Sequence, residues 1–336
     1  MTVVVTGTGL VHATGHRPLD ILRGEVPPLD EERLRVDETQ ILSWIPKRNL
    51  RKMDRLSKIT TAAVAMALVD AGLAVNEHPD EIGLILDTAF GSAGAVSAVL
   101  EGIFDPDPII SPLLFPNVVA NASSGQAAMA LGLRGPSSTL GGIGGLMYAF
   151  DLLRAGRARK LVVGGSDEIT DVFVRGLGSV GIDKVATSFG DGAAFVVLET
   201  AESARSRGAQ IYAQIDAISM ASDPSFRMSG AFAFSGDGFN QAVDEVLTPE
   251  DQVDIFIGVG WNGTELKRRE DAFASEHSIP AIWPKTATGE MFACSNSLNA
   301  VLASVFLSES RAPTTALISG YDSTRGQVLT ALFRTI

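Results

Sequence analysis

Short apolar runs rich in Val and Ile alternate along this chain with longer segments rich in Ala and Leu. Such alternation is typical of buried parallel strands that are connected by crossover helices. It predicts strands at residues 2–5, 82–86, 160–163, 194–198, 211–218, 254–259, 315–318 and 328–333. It predicts helices at residues 54–71, 125–131, 147–155, 240–247, 265–275 and 295–307. The pattern therefore indicates an α/β protein.

Strand-rich blocks lie on both sides of residue 200, and no linker separates them. Gly and Pro are spread through the chain, and no Ser-rich or charged tract divides it. Residues 1–200 and 201–336 are therefore expected to form two similar halves of one compact unit. A chain of 336 residues is long enough to bury a large core of this kind.

The charge balance and the apolar content exclude several classes of partner. The formal net charge is −12, which opposes binding to nucleic acid because phosphate backbones are bound by clustered Lys and Arg. The N-terminus has no basic n-region, and no window reaches the roughly 18–20 uninterrupted apolar residues of a membrane span. We expect a soluble cytoplasmic protein that binds neither nucleic acid nor membrane.

Cys and His are too few and too scattered to form a disulfide framework or a metal site. Cys294 is the single cysteine. The four histidines, His12, His16, His78 and His277, show no metal-ligand spacing. The sequence therefore implies neither a metal nor a cofactor.

The glycine-rich segment VTGTGLVHATG, residues 5–15, follows a predicted strand and resembles a nucleotide-binding loop. A dinucleotide fingerprint needs its glycines to open a helix, with an acidic residue about 20 positions further on. Pro18 and the pair Pro27 and Pro28 favour a loop here instead. A structural turn is the preferred interpretation, and a dinucleotide-binding oxidoreductase is kept as an alternative.

Six segments occur in the same order as in the β-ketoacyl synthases of the thiolase-like superfamily. They are VVVTGTGLVHATG, KRNLRKMDRLSKITTAAVAMALVDAGL, GLRGPSS, RAGRARKLVVGG, GDGAAFVVLE and KTATGEMFACSNSLNAVLASVFL. They span nearly the whole chain, which is shorter than a typical ketosynthase mostly at residues 167–190 and 219–252. The resemblance implies a thiolase-like five-layered αβαβα fold, made of two ketosynthase-like halves and working as a dimer.

The resemblance also shows which catalytic residues are missing. Ketosynthases that extend a chain use a Cys at a helix N-terminus, where the helix dipole favours the thiolate, and two His that drive decarboxylation. The nucleophile position falls at Gly144 or, with a different anchor, at Thr139. The two His positions fall at Asn262 and Glu290. The chain is therefore expected to have no catalytic residue of its own.

Three further features belong to the same comparison. Lys285 matches a polar residue of the family, and the family's Gly-Phe-Gly-Gly gate is replaced by GYDSTRG at residues 320–326. Cys294 lies inside a predicted helix, so a packed core thiol is favoured over a displaced nucleophile. Glu290 and Asn262 could instead form a new acid/base site, and a malonyl carrier-protein decarboxylase is kept as an alternative function.

A ketosynthase-like chain without the catalytic Cys resembles the chain length factors of type II polyketide synthases. The segment at residues 111–140 is most similar to factors from polyene-making, highly reducing systems. The resemblance implies a heterodimer, or a dimer of heterodimers, with an active homologous ketosynthase. It also implies a shared tunnel for the growing chain, and an acyl carrier protein with its phosphopantetheine-bound chain as a further partner.

Matching residues 87–99 to those factors places Phe90, Ala93 and Ser97 at the tunnel. Spacings of three and four residues predict that they share one helical face. Leu114 matches a pocket residue that reaches across the dimer interface. An ordinary packed helix is the alternative interpretation of this segment.

Overall fold

The computed structural model describes residues 1–27, 29, 33–105, 112, 114–179, 188–225, 235–261 and 264–336. The strands are β1 (Val3–His12), β2 (Arg33–Leu34), β3 (Ile82–Thr88), β4 (Ser137–Gly141), β5 (Lys160–Asp167), β6 (Phe189–Gly190), β7 (Gly192–Thr200), β8 (Ala213–Ser222), β9 (Ile255–Ile257), β10 (Ala281–Ile282), β11 (Thr315–Asp322) and β12 (Gln327–Arg334). The helices are α1 (Pro18–Leu22), α2 (Glu38–Ile41), α3 (Arg55–Asp70), α4 (Ala93–Phe104), α5 (Ala122–Leu131), α6 (Gly145–Arg154), α7 (Asp171–Ser179), α8 (Ala201–Ser206), α9 (Asp237–Val246), α10 (Glu265–Glu276), α11 (Lys285–Thr288) and α12 (Ala293–Ser308). No helix in these ranges is both long enough and apolar enough to cross a lipid bilayer.

Ten of these strands form one sheet in the order β10-β9-β11-β12-β8-β1-β7-β5-β3-β4. Outwards from β1, β7 pairs with β1 and β5 pairs with β7, both antiparallel. Next, β3 pairs with β5 and β4 pairs with β3, both parallel. From β8 outwards, β12 and β11 add antiparallel, and β9 and β10 then add parallel. The two sets of five strands therefore have the same topology, which is the duplication expected from the sequence. The exact division at residue 200 stays a prediction; β7 ends at Thr200 and β8 begins at Ala213.

Successive side chains on the strands face different cores, and this alternation creates the layers. On β5, Leu161 and Val163 face a central core that contains α6 and α12, whereas Val162 faces the core of α3 and α5. On β11, Ile318 faces the central core, and Leu317 faces the core of α9 and α10. Helices thus lie between the two sets of five strands and on the outer face of each set. The predicted five-layered α/β fold is confirmed.

The glycine-rich segment at residues 5–15 is mainly strand, so the expected turn is wrong for most of it. A Cβ on Gly7 would lie 2.5 Å from the carbonyl oxygen of Ala67, and a Cβ on Gly9 would lie 2.1 Å from that of Ala63. Both carbonyls belong to α3. The glycines therefore allow α3 to pack closely on β1, and they do not open a helix towards a pyrophosphate.

Candidate functional site

The start of α6 holds one of the two positions that the sequence comparison predicts for the nucleophile. Gly144 is the N-cap residue of this helix. The next residue, Gly145, donates its backbone N–H to the carboxyl group of Asp87, at 3.0 Å from Oδ1 and 2.9 Å from Oδ2. Burial raises the pKa of Asp87 well above its usual value, although the Gly145 hydrogen bond acts in the opposite direction. The chain's own carboxyl group thus occupies a helix end that could otherwise favour an anion.

Thr139, the other position considered for the nucleophile, lies in the middle of β4. It pairs with Leu86 in β3, and its hydroxyl shares a 2.7 Å hydrogen bond with that of Ser124. Of the two positions, therefore, only Gly144 lies at the start of a helix.

A small pocket lies where the loop before α6, the start of α12 and the turn after β11 meet. It is lined by Ala89, Gly142, Ile143, Phe292, Ala293, Asn296, Tyr321, Asp322 and Ser323. Asp322 belongs to the segment that replaces the family's glycine-rich gate, and its Oδ2 lies 3.1 Å from Nη1 of Arg325. The same oxygen is 2.7 Å from the place where a Cβ on Gly142 would be. The turn after β11 is therefore packed tightly against the loop that leads into α6.

Glu290 and Lys285 form a buried ion pair beside this pocket. The Glu290 carboxylate also accepts hydrogen bonds from the backbone N–H of Phe292 at 2.5 Å and from the Ser295 hydroxyl at 3.1 Å. Lys285 Nζ lies 4.7 Å from the centre of the Trp261 ring. Burial lowers the pKa of Lys285, while the Glu290 charge opposes that shift. The Glu290 carboxylate is thus bound by other side-chain and backbone groups of this protein.

The remaining His position, Asn262, lies outside the described residues. Cys294 is fully buried in α12. Burial raises the pKa of its thiol well above the ordinary value, and the nearby Asp167 and Glu290 add to the shift. Cys294 is therefore a packed core thiol.

The segment predicted to line a tunnel divides into a turn and a helix. Ala93 is the first residue of α4, and Ser97 lies one helical turn further on, so these two share a face. Phe90 precedes the helix, because the chain turns at Gly91 with a φ of 62°. The single helical face predicted for all three residues is therefore wrong for Phe90. Leu114 immediately precedes the 3-10 helix Phe115–Asn117, which packs beside α4.

Phe90 joins an aromatic cluster that links this turn to the Glu290 region. Its ring centre lies 4.3 Å from that of Phe173 and 4.9 Å from that of Phe292. Phe292 is two residues after Glu290 and adopts a φ of 52°, which is uncommon for a residue other than glycine. Phe292 therefore links Phe90 to the segment that contains Glu290, one of the two predicted His positions.

Large apolar side chains face solvent on α4 and on the 3-10 helix beside it. We call them the outer apolar patch: Val96, Leu100, Ile103, Phe104 and Phe115. The side chain of Phe104 is 81% exposed and that of Phe115 is 62% exposed. Contiguous exposed apolar surface of this kind is a common mark of a protein interface.

The model for the N-terminal domain of the β-ketoacyl synthases matches residues 35–204, just over half of the chain. The chain belongs to the β-ketoacyl synthase family. It is 25% identical, over an alignment of 371 positions including gaps, to the 3-oxoacyl-[acyl-carrier-protein] synthase 2 of Synechocystis sp., covering 95% of this chain and 88% of the relative. It is 26% identical to the corresponding Vibrio cholerae enzyme, covering 81% of this chain and 74% of that one.

Solved structures share the fold over the whole chain. The ishigamide ketosynthase/chain length factor matches with a TM-score of 0.83 at 19% identity, covering 100% of this chain and 99% of that one. A type II polyketide synthase acyl-carrier protein in complex with its ketosynthase matches with a TM-score of 0.79 at 22% identity, with the same coverage. These likenesses establish a common ketosynthase architecture.

Within this β-ketoacyl synthase family member, we expect the Lys285–Glu290 ion pair to matter strongly for stability. Lys285→Met would leave the Glu290 carboxylate buried without its cation, which costs about 3 kcal/mol of unfolding free energy. The double variant Lys285→Met/Glu290→Gln is expected to recover most of that loss, because no uncompensated charge is left. Urea unfolding followed by circular dichroism measures both values.

The matched control is Arg17→Met, which removes an ion pair between an exposed guanidinium and Asp20. Exposed ion pairs contribute little to stability, because solvent screens the two charges. Equal losses in the Lys285 and Arg17 variants would show that the buried pair has no special role in stability.

Proposed function

We propose that this chain is a non-catalytic chain length factor in polyketide biosynthesis. It pairs with an active ketosynthase homologue and supplies part of the tunnel wall that limits how far an acyl or polyenyl chain can grow. The observation that carries this proposal is the start of α6. Gly144 stands where the nucleophile is expected, and the Asp87 carboxyl group occupies the neighbouring backbone N–H.

The surroundings of that helix support the absence of chain-extending chemistry. Among the residues that the structure describes, those lining the small pocket beside α6 include neither Cys nor His. A thiolate nucleophile and an imidazole are the groups that ketosynthase chemistry needs. Glu290, at one His position, is already bound by Lys285 and by the backbone N–H of Phe292. Carbon–carbon bond formation would then depend on a partner's active site.

The outer apolar patch supports association with that partner. All of its residues except Phe115 lie on α4, the same helix that carries the proposed tunnel residues Ala93 and Ser97. In addition, β4 is the last strand of the sheet, so one of its edges has no described strand beside it. A ketosynthase that covers this side would bring its own tunnel next to α4. The acyl carrier protein that delivers the chain is the expected third partner.

The decarboxylase that uses Glu290, Asn262 and Lys285 is the second candidate. The observation in its favour is the buried lysine, whose pKa is lowered and which lies beside a carboxylate. The dinucleotide-binding oxidoreductase has less support, because Gly7 and Gly9 pack against α3.

Co-expression with a Cys-containing ketosynthase, followed by native mass measurement, tests the proposal. We expect a stable heterodimer that extends a primer, and a chain that alone is neither acylated nor able to release CO2 from malonyl carrier protein. Mutation of the partner's Cys to Ala should abolish extension while the heterodimer persists. Acylation and extension by this chain alone would contradict the proposal, and CO2 release by this chain alone would favour the decarboxylase.

A further inference from the structure

The first turn of α4 is capped from a distant part of the chain. Glu168 follows β5 directly, and its side chain is almost completely buried. Its Oε1 accepts the backbone N–H of Gly94 at 2.7 Å. Ser92, the N-cap residue, makes no side-chain capping bond, and its buried hydroxyl has no hydrogen-bond partner among the described residues. The N–H of Gly94 in the first turn is thus satisfied by a tertiary contact with Glu168 and not by the N-cap side chain that usually accepts it.

The contact between Glu168 and Gly94 is close. A Cβ on Gly94 would lie 2.8 Å from Oε1 of Glu168 and 3.2 Å from its Cδ. Any larger residue at position 94 would therefore push the carboxyl group and the helix apart. Because Gly94 has no side chain, the start of α4 can pack closely against Glu168.

The preceding residue, Asp167, holds the other end of the same turn. Its carboxyl group accepts the backbone N–H groups of Ala89 at 3.0 Å and Phe90 at 3.2 Å. Two consecutive carboxyl groups at the end of β5 therefore fix the chain from Ala89 to Gly94. Ala93 lies inside this clamped stretch, and Ser97 follows one helical turn later.

Burial of the Glu168 carboxyl group is energetically unfavourable. The pKa of Glu168 is raised to about 7, mainly by burial and also by the neighbouring Asp54 and Asp191, while the Gly94 hydrogen bond and Arg55 oppose the shift. Ser92 stands at the N-cap, where a Ser side chain usually accepts such an N–H, and a bond to it would satisfy Gly94 without burying a second carboxyl group. The arrangement therefore secures a defined position of α4 relative to β5, beyond what a local cap provides.

We infer that Glu168 is a positioning residue for chain length: by fixing the first turn of α4 against β5, it sets how far Ala93 and Ser97 project towards the growing chain. This inference rests on the proposed function. In this role Glu168 does not contact the growing acyl chain; it acts through the position of α4.

The test uses the reconstituted heterodimer and compares four variants by the mass distribution of the released products. Glu168→Ala is expected to broaden the distribution or to move its maximum by one or more extension units. Glu168→Gln, which keeps an oxygen acceptor for Gly94, should restore the parent distribution. Gly94→Ala should act like Glu168→Ala, because its methyl group displaces the carboxyl. Thr264→Ala, which removes the cap of α10 on Lys267, is the matched control and should leave the distribution unchanged.

Hydrogen exchange of the amides at residues 93–97 gives a second measurement that does not need the partner. We expect at least about tenfold faster exchange in Glu168→Ala than in Glu168→Gln. Loss of one hydrogen bond, here the one from Gly94 to residue 168, makes local opening of the helix start easier by about this factor. Unchanged exchange in Glu168→Ala would overturn the inference, as would a parent product distribution. If Ala93→Phe changes product length in the same heterodimer and Glu168→Ala does not, the positioning role fails and the proposed function stands. If neither changes it, both fail.

Discussion

Ala93→Phe is expected to shorten the product of the reconstituted heterodimer by one or more extension units. Ala93 opens α4, is only partly buried, and has a small side chain. A phenyl group at that position would fill space that the proposed tunnel needs, because closely packed interfaces have few voids to absorb it. Ser97→Phe, one helical turn away, should end extension at a different length. Mass spectrometry of the released chains measures both effects.

Ala98→Phe is the matched control for this prediction. Ala98 is exposed on α4 and lies about 100° further round the helix than Ser97. It has the same original residue type as Ala93, so both variants add a ring of the same size to α4, on the exposed side in the case of Ala98. Unchanged product length with full activity in both Ala93→Phe and Ser97→Phe would contradict the tunnel assignment. An equal effect of Ala98→Phe would show that bulk anywhere on α4 is sufficient.

Hydrophobic patterning predicted the elements that are buried in the cores, and it missed those that lie at the edge of the molecule. The strand predicted at residues 160–163 is the start of β5, and the helix predicted at 295–307 is nearly all of α12. Patterning alone did not predict α4 because Leu100 and Phe104 face solvent, whereas a surface helix normally shows a polar outer side. The strand β4 was missed because SSTLG is short and mostly polar.

The site was predicted only where the family supplies a motif. Gly144, Lys285 and Glu290 came from matched segments. The buried carboxyl groups of Asp87 and Glu168 were missed, because an acidic residue after an apolar run is usually exposed. A usable signal was present for Asp87, which directly follows the strand predicted at residues 82–86, since parallel strands gather functional groups at their carboxyl ends. Glu168 gave no such signal, because the strand predicted at residues 160–163 ends well before it, whereas β5 continues to Asp167.

Phe90 shows how a single glycine limits inference from spacing. A spacing of three residues between Phe90 and Ala93 fits a helix, but Gly91 adopts a φ of 62° and the helix begins only at Ala93. Glycine takes that conformation readily, so the sequence allowed both a turn and a helix here. The side chain of Phe90 instead packs on Phe173 and Phe292.

Gly144→Cys is expected to give an unreactive thiol, although the backbone has room for the side chain. A Cβ on Gly144 would contact only Leu140 Cδ2 at 3.7 Å and Met220 Cε at 3.9 Å, which are ordinary distances. The nearby Asp87 carboxyl group already accepts the Gly145 N–H, so that N–H is not available to stabilise a thiolate at position 144. The thiolate would also lie close to the acidic side chain of Asp87, which disfavours its negative charge. We expect iodoacetamide at pH 7.5 to alkylate this thiol at least about tenfold more slowly than a free thiol, equivalent to a pKa about one unit or more higher.

Removing Asp87 should reverse this effect. In the Gly144→Cys background, Asp87→Ala frees the Gly145 N–H and is expected to raise the alkylation rate at least about tenfold, because the helix end can then favour the thiolate. Asp87→Asn removes the acid but keeps an acceptor for the same N–H, so an intermediate rate is expected. The buried Cys294 contributes little background, which the unsubstituted chain measures directly.

A fast-reacting thiol in Gly144→Cys alone would show that Asp87 does not suppress an anion at this helix end. Even the reactive double variant is expected to extend no primer by itself, because the two positions predicted for the family's His residues hold Asn262 and Glu290. Loss of the nucleophile would then be only one of several changes that separate this chain from an active synthase. Extension activity would have to be rebuilt at the helix end and at both His positions together, which is why we expect it to reside in the partner subunit.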